Sequence, residues 1–236
     1  VGIGVFVATA VVQLRKFIQF QKDMALIWTQ LPNSTAQQLG AFEEVILKTF
    51  RKLPIHTKSA TDAMFDIIST GFTDIKDATK VFEAGPILAV AGGTEMKTSV
   101  GAIITILKSY GMSVDRANEI ANKLFITQRR GRITVDELAR SIGSAAATGG
   151  IAGVSFEEMA ASVATTTLQL ANARESITAV RNLYLALLKP TEKAKAILAE
   201  HNIELTKLDE NGQEVLKPLE EMIPLFSKLS TSELLM

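Results

Sequence analysis

Three short stretches constrain this chain most. "GFT" at Gly71, "GMS" at Gly111 and "GVS" at Gly153 share one form: a glycine, an apolar residue, a hydroxyl residue, then a helix-forming run. Glycine takes the left-handed backbone that ends a helix without a Cβ penalty. A Ser or Thr oxygen accepts a bond from the first free amides of the next helix. Each stretch therefore predicts a helix end, a tight turn and a helix start in one step. Such steps at near-equal intervals, with short connections, predict helices packed antiparallel or as a stacked array. Little sequence repeats outside the punctuation, so it reads as capping chemistry rather than an internal repeat.

Helical periodicity runs through the rest of the chain, and strand alternation is nearly absent. A first helix is predicted over roughly 3–30, broken by "LPNST" at Pro32 and Asn33. Others follow over Ala36 to Lys52 and Ser59 to Thr70. "TDIKDATKVFEAGPILAVAGG" is helical but is expected to kink or break at Gly85-Pro86, where proline removes a donor and clashes with the preceding turn. Gly93 then ends one helix and Thr94 caps the next, which runs to Tyr110. Ser155-x-x-Glu158 and Thr134-x-x-Glu137 are capping boxes by pattern. Phe156, Met159, Ala160, Val163, Thr167 and Leu170 fall on one helical face, and Ile177, Val180, Tyr184 and Leu187 on another. No apolar heptad persists long enough to make this stretch a long coiled coil. Asn211-Gly212 is the best hairpin-turn pair, so one small hairpin is expected near 203–215, followed by a last helix over about Pro218 to Leu229. The expected fold class is all-α, a multi-helix array with Gly and Ser/Thr capped turns. The expected organisation is an N-terminal apolar helix and linker over 1–35, a helical core over 36–200, and a loop and C-terminal helix over 201–236 that lead into a longer chain.

Composition excludes several functions. Lys plus Arg equal Asp plus Glu at 25 each, which argues against the basic face that nucleic acid requires. A net charge near zero also favours life inside an assembly. No Cys is present, so there is no disulfide framework and no thiolate metal site. "AGGTEMKTSVG" fails as a phosphate loop, because Met96 and Ala91 stand where glycines are needed. His56 and His201, the two histidines, lie in no ligand spacing and are expected at the surface or at helix ends. Glu43-Glu44, Glu157-Glu158 and Glu220-Glu221 are adjacent in sequence and point apart on a helix, so they make no acid–base pair. Neither a Gly-x-Ser-x-Gly elbow nor a triad is found. "QRRGR" at Gln128 to Arg132 is the tight basic cluster, read as a solvated loop. "VGIGVFVATAVV" is apolar up to Gln13, short of the roughly 20 residues that span a bilayer. It is expected to be a packed helix, with a truncated membrane segment as the rival and host-membrane contact through residues 1–14 as a further reading. No catalytic, cofactor-binding or metal residue is assigned.

The order of the capping signals carries the reading further. Gly131, Thr134, Glu137, Leu138 and Ala139 form one set. Gly153, Val154, Ser155, Glu158 and Met159 form a second, and Thr166, Ala179, Arg181, Leu188, Lys189, Pro190 and Thr191 a third. In this order and spacing they resemble the core of phage tail tape-measure proteins. The resemblance covers roughly residues 36–229 and is densest over 111–191. It departs from the family at "GSAAATGG" and "LANARES", where proline and glycine are commoner. It implies a non-enzymatic structural protein of the virion tail, at the lumen or tip, made in the host cytoplasm. Its length would set the tail tube, and it would take part in assembly and genome delivery. Implied partners are tail tube and tail tip or baseplate proteins, tail assembly chaperones and further copies as a trimer or hexamer, with no cofactor and no specific nucleic acid. The alternative is an α-helical adaptor or binding module of a larger assembly.

Overall fold

The computed structural model describes residues 2–53, 55–170 and 172–234, with the side chains of residues 2–11, 50 and 234 outside that description. The first part runs α1 (Gly2–Thr29), α2 (Ala36–Lys52), α3 (Thr57–Ser69), α4 (Ile75–Gly92) and α5 (Met96–Ser109). A single 3-10 turn (Val114–Arg116) leads into α6 (Ala117–Arg130), α7 (Val135–Ser141), α8 (Gly143–Ala152), α9 (Phe156–Gln169), α10 (Ala173–Leu188) and α11 (Glu192–Glu200). The strands β1 (Thr206–Leu208) and β2 (Glu214–Leu216) follow, then α12 (Leu219–Phe226) and α13 (Thr231–Leu234). The all-α class and the small hairpin are both present. By contact the chain forms two units, one of Val1–Ile104 with Ser113–Asn122, the other of Thr105–Met112 with Lys123–Met236.

In the first unit α3 packs on α1, α2 and α4, and α2 packs on α4. Met24, Ile27, Phe42, Ile46, Met64, Ile67, Val81 and Phe82 are fully buried there. Asp23 is buried among them, and its carboxylate accepts from Gln19 Nε2 at 2.9 Å and Thr61 Oγ1 at 3.1 Å. Those bonds meet the need that burial creates. The expected break at Gly85-Pro86 does not occur, since α4 runs through both residues. Gly85 has no Cβ for the proline ring to strike. Both residues are buried, and a Cβ on Gly85 would lie 2.3 Å from Val100 Cγ2. The helix is held from outside at the point where its own bonding is weakest.

In the second unit α10 is the hub, with α7, α8, α9 and β2 against it. Both predicted faces are buried, Phe156, Met159, Ala160, Val163 and Thr167 on α9 and Ile177, Val180, Tyr184 and Leu187 on α10, with Leu170 half-buried. Helix α8 is built of small residues, and the reason is distance. A Cβ on Gly150 would lie 2.1 Å from the Ser109 carbonyl oxygen, and one on Gly149 would lie 2.6 Å from the Tyr110 hydroxyl. The end of α5 passes too close for side chains.

The punctuating glycines behave as expected. Gly71, Gly111 and Gly153 have φ of 101°, 58° and 70°. In each case the amide of the following apolar residue donates to the carbonyl five residues back: Phe72 to Ile67, Met112 to Leu107, Val154 to Gly149. Each glycine amide donates to the carbonyl three residues back. This bond pair is the Schellman motif. The long bond also joins Thr94 to Ala89 after Gly93, and Ile203 to Leu198 after Asn202, whose φ is 53°.

The hydroxyl position is less uniform. Ser155 caps α9, and Ser113 caps the 3-10 turn. After Gly71, however, Asp74 rather than Thr73 caps α4, accepting from Lys76 and Asp77 amides with a stronger, charged acceptor. Helix α5 begins at Met96 instead of just after Thr94, and Ser59 Oγ from α3 accepts from the Lys97 amide at 3.2 Å. The hairpin does not use Asn211-Gly212 as a two-residue turn. Asp209 and Gln213 still pair, the Gly212 amide donates to the Asp209 carbonyl, and only Gly212 is left-handed. That is the three-residue loop built on a type I turn. The last helix is two pieces, α12 ending at Phe226 and α13 opening at Thr231. The side chains of residues 1–11, on which the membrane rival chiefly rested, lie outside the described residues.

A Gly150→Ala variant is expected to lose about 1–3 kcal/mol of stability from overpacking. Gly40→Ala in α2, where a Cβ meets nothing within 4 Å, should gain roughly 0.5–1 kcal/mol from helix propensity. Urea unfolding of the pair checks both signs.

Candidate functional site in the capped helical core

The residues that carry the resemblance come together as helix ends of the second unit. Thr134 and Glu137 form the full capping box. Thr134 Oγ1 accepts from the Glu137 amide at 3.2 Å, and the Thr134 amide donates to Glu137 Oε2 at 2.9 Å. The Thr134 amide and hydroxyl hold the Glu137 carboxyl below the usual carboxylate range. Leu138 beside them is fully buried and Ala139 half-buried. Gly131 lets the turn before this box approach α9, since a Cβ there would lie 2.5 Å from Thr167 Oγ1. Thr167, not Thr166, does the joining, for its Oγ1 accepts from the Arg132 amide at 3.0 Å. Thr166 bonds back to the Ser162 carbonyl of its own helix.

The second box is only half built. Ser155 Oγ accepts from the Glu158 amide at 3.1 Å, but Glu158 does not return to Ser155. Its Oε1 instead accepts from the Leu219 amide at 2.7 Å. Helix α12 starts after Pro218, which offers no side-chain cap. A carboxylate at a helix N-terminus also meets the positive end of the helix dipole. Glu158 thus links α9 to α12. Val154 and Met159 are buried beside it. Gly153 is crossed by β2, for a Cβ there would lie 2.4 Å from Val215 Cβ.

In the third set Ala179, Arg181 and Leu188 are half-buried on α10. Lys189 follows its end, Pro190 prevents its continuation, and Thr191 Oγ1 caps α11 by accepting from the Ala194 amide at 3.2 Å. Both histidines lie at helix boundaries, His56 before α3 and His201 after α11. His201 Nε2 stands 3.0 Å from Glu233 Oε1. Ser230 donates its amide and hydroxyl to the other Glu233 oxygen. The Ser230 bonds first, then the His201 ring, pull the Glu233 carboxyl down to about 2. Close by, Leu183, Leu187, Leu198, Leu205 and Phe226 line an apolar groove of about 350 Å³.

Several of the groups with chemical potential are engaged in structure. Glu157 pairs with Lys123, and Glu158 caps α12, so the adjacent carboxylates do point apart. In "QRRGR", Gln128 Oε1 accepts from the Val135 amide at 2.6 Å, while Arg129, Arg130 and Arg132 are exposed. Burial pushes the Tyr110 phenol up, and it pushes Tyr184 up to about 12 although Tyr184 donates to Ser162 Oγ. Neither ionises near neutral pH. Among the described residues no cluster of three or more His, Asp or Glu is placed to hold a metal ion. Sequence reasoning missed the roles of Gln128, Thr167 and Ser59, because each accepts from an amide outside its own helix. The Thr35–Gln38 box ahead of α2 was legible as Thr-x-x-Gln.

The family model for phage-related minor tail proteins matches residues 33–234. The chain belongs to this family. It is similar to the probable tape measure protein of Clostridium phage phiCD119, 26% identical over 120 residues, which is 50% of this chain and 13% of that protein. It is also similar to the tape measure protein of Pneumococcus phage Dp-1, 23% identical over 209 residues, 87% of this chain and 17% of that protein. The chain therefore spans less than a fifth of either relative. No solved structure matches it. Family membership makes it a structural protein of the phage tail.

Two outcomes are expected. Glu158→Ala should cost about 1–3 kcal/mol and raise amide exchange over 219–226, because the Leu219 amide loses its acceptor. Acid should release α13. A carboxyl lowered in the fold stabilises it above its ordinary value of 4.5, and that contribution is lost as pH falls toward about 2. Protection of the Ser230 amide against pH tests this, and in Glu233→Gln it should be weak already at neutral pH.

Proposed function

We propose that this chain is a segment of the tape measure that sets tail tube length and that travels ahead of the genome at delivery. The observation that carries the reading is the family match over residues 33–234, joined by two relatives named as a tape measure protein and a probable tape measure protein. The physical argument agrees with it. A ruler needs length in helix and regular stops, and it needs no reaction centre. Fully helical and extended, a chain of this size reaches roughly 350 Å at about 1.5 Å per residue. The helical core over 36–200 is the measuring part on this reading, flanked by 1–35 and 201–236 as its connections. Its partners are the tail tube protein, tail tip or baseplate proteins, assembly chaperones and further copies of itself. A second reading has support from the capped turns, which close short helices into packed units: the segment is a folded block near the tail tip.

In-frame deletion of residues 111–191 from the full gene separates these readings by electron microscopy of the tails. The expected result is shortening by roughly 120 Å, at about 1.5 Å per residue removed. Tails of normal length that fail to infect would replace the ruler by the folded block. Tails unchanged in length and infectivity would favour the adaptor.

A further inference from the structure

The second unit carries two exposed surfaces of opposite charge, each built around an isoleucine. The first is a groove of about 220 Å³ between α6 and α9, with Ala160, Ala161 and Ala164 along one side. Lys123 pairs with Glu157, and Gly131 abuts Ala164, so the two helices run side by side. Ile126 stands on the α6 side, 45% exposed, and Leu168 continues the α9 face past Ala164, 52% exposed. Arg129 and Arg130 follow Ile126 by three and four residues, so they share its face of α6. Arg129, Arg130 and Arg132 are exposed, and none makes an ion pair among the described residues. The second surface is the outer side of α12. Met222 is fully buried, and at about 100° per residue Ile223, Glu220, Pro224 and Glu221 fill the opposite side of the helix. All four are exposed, Ile223 by 62%. Neither glutamate is in an ion pair or a side-chain hydrogen bond among the described residues. Charge is balanced over the chain but not within this unit. From Lys123 to Arg140 five cations stand against two carboxylates, and from Glu192 to Glu233 nine carboxylates stand against five lysines.

We propose that these surfaces are the two halves of one interface: the α12 ridge of one copy of this chain seats in the α6–α9 groove of another. Ile223 enters between Ile126 and Leu168 over the alanines, and Glu220 and Glu221 meet Arg129, Arg130 and Arg132. Both surfaces stay exposed within one copy, so neither fills the other internally. Like surfaces do not pair, since groove on groove sets arginines together and ridge on ridge sets glutamates together, and like charges across an interface are costly. The contact is therefore heterologous. Such contacts join copies into rings or open series rather than a closed two-fold pair. The arginines also suit the negative end of the α6 dipole, and the glutamates the positive end of α12. That role accounts for their sign, but not for the exposed isoleucine beside each pair. The inference deepens one part of the proposed function, that copies of the chain meet, and rests on that part alone.

The test is sedimentation velocity of the full chain over a range of concentrations. The parent is expected to associate as concentration rises, and less so with added salt. Arg129→Glu with Arg130→Glu, and separately Glu220→Arg with Glu221→Arg, should each weaken association about tenfold or more. An equimolar mixture of the two variants should restore it, because each groove then meets a ridge of opposite charge. The mixture also separates loss of the interface from loss of the fold, for an unfolded variant is not rescued by its partner. A parent that stays monomeric overturns the proposal. So does association that neither variant weakens, which would leave copies meeting through another surface. So do variants that unfold like the parent in a thermal scan and yet are not restored by mixing. Loss in the arginine variant alone would seat another acidic stretch in the groove, and it too overturns the pairing with α12. Tail length, read by the deletion of residues 111–191, is independent of all these outcomes.

Discussion

One backbone bond recurs at the points where this structure turns: the amide just past a left-handed residue donates to the carbonyl five residues back. It closes the helices at Gly71, Gly93, Gly111, Gly153 and Asn202. The last carbonyls of a helix have no partner along the helix itself, and an apolar stripe does not say where a helix should stop. The bond answers both needs at once. It satisfies a carbonyl, and it turns the chain out of the helix within two residues. The residue after each left-handed position donates the bond from its backbone amide: Phe72, Thr94, Met112, Val154 and Ile203. Remove these stops and the same sequence has the makings of longer helices, with their apolar faces unburied.

Stops alone do not hold helices together. In the second unit the hold comes from close approach and from acceptors lent between elements. Small residues let α8 meet the end of α5, and Gly153 lets β2 cross the α8–α9 turn. Thr167 serves the turn ahead of α7, and Glu158 serves the start of α12. These bonds span long separations in sequence and join elements that have few side chains of their own to offer at those points. The cost of leaving a partly buried amide without an acceptor is comparable to the gain from a well-packed apolar side chain, so each such bond matters to the unit.

The same bookkeeping bears on function. The carboxylates of Glu137 and Glu158 and the hydroxyls of Thr134, Ser155 and Thr191 are directed at helix ends. That suits a structural protein of the tail. It also makes the packed state conditional. Helix ends held by single acceptors can open one at a time, and local opening of that kind is drawn from the less stable parts of a fold. On the proposed reading as a tape measure, a chain able to exist as packed short helices and as an extended helical rod has a physical basis in those ends.

Much of this was written in the local sequence. Helix positions, the left-handed glycines, the Thr134–Glu137 box, the buried faces of α9 and α10 and the presence of a hairpin all follow from residues within a few positions of one another. Local backbone sterics and helical period act over that range, so sequence alone determined them, and with them the order of signals that resembles the tail family. Tertiary structure decided the rest. Pro86 stays inside a helix because its flanks are buried and its neighbour is glycine. Ser59 supplied a bond to α5 from another helix, and Glu158 left its own box for α12. In each case two acceptors or two packings were compatible with the local pattern, and the choice fell to whichever distant group came within bonding distance once the chain had folded.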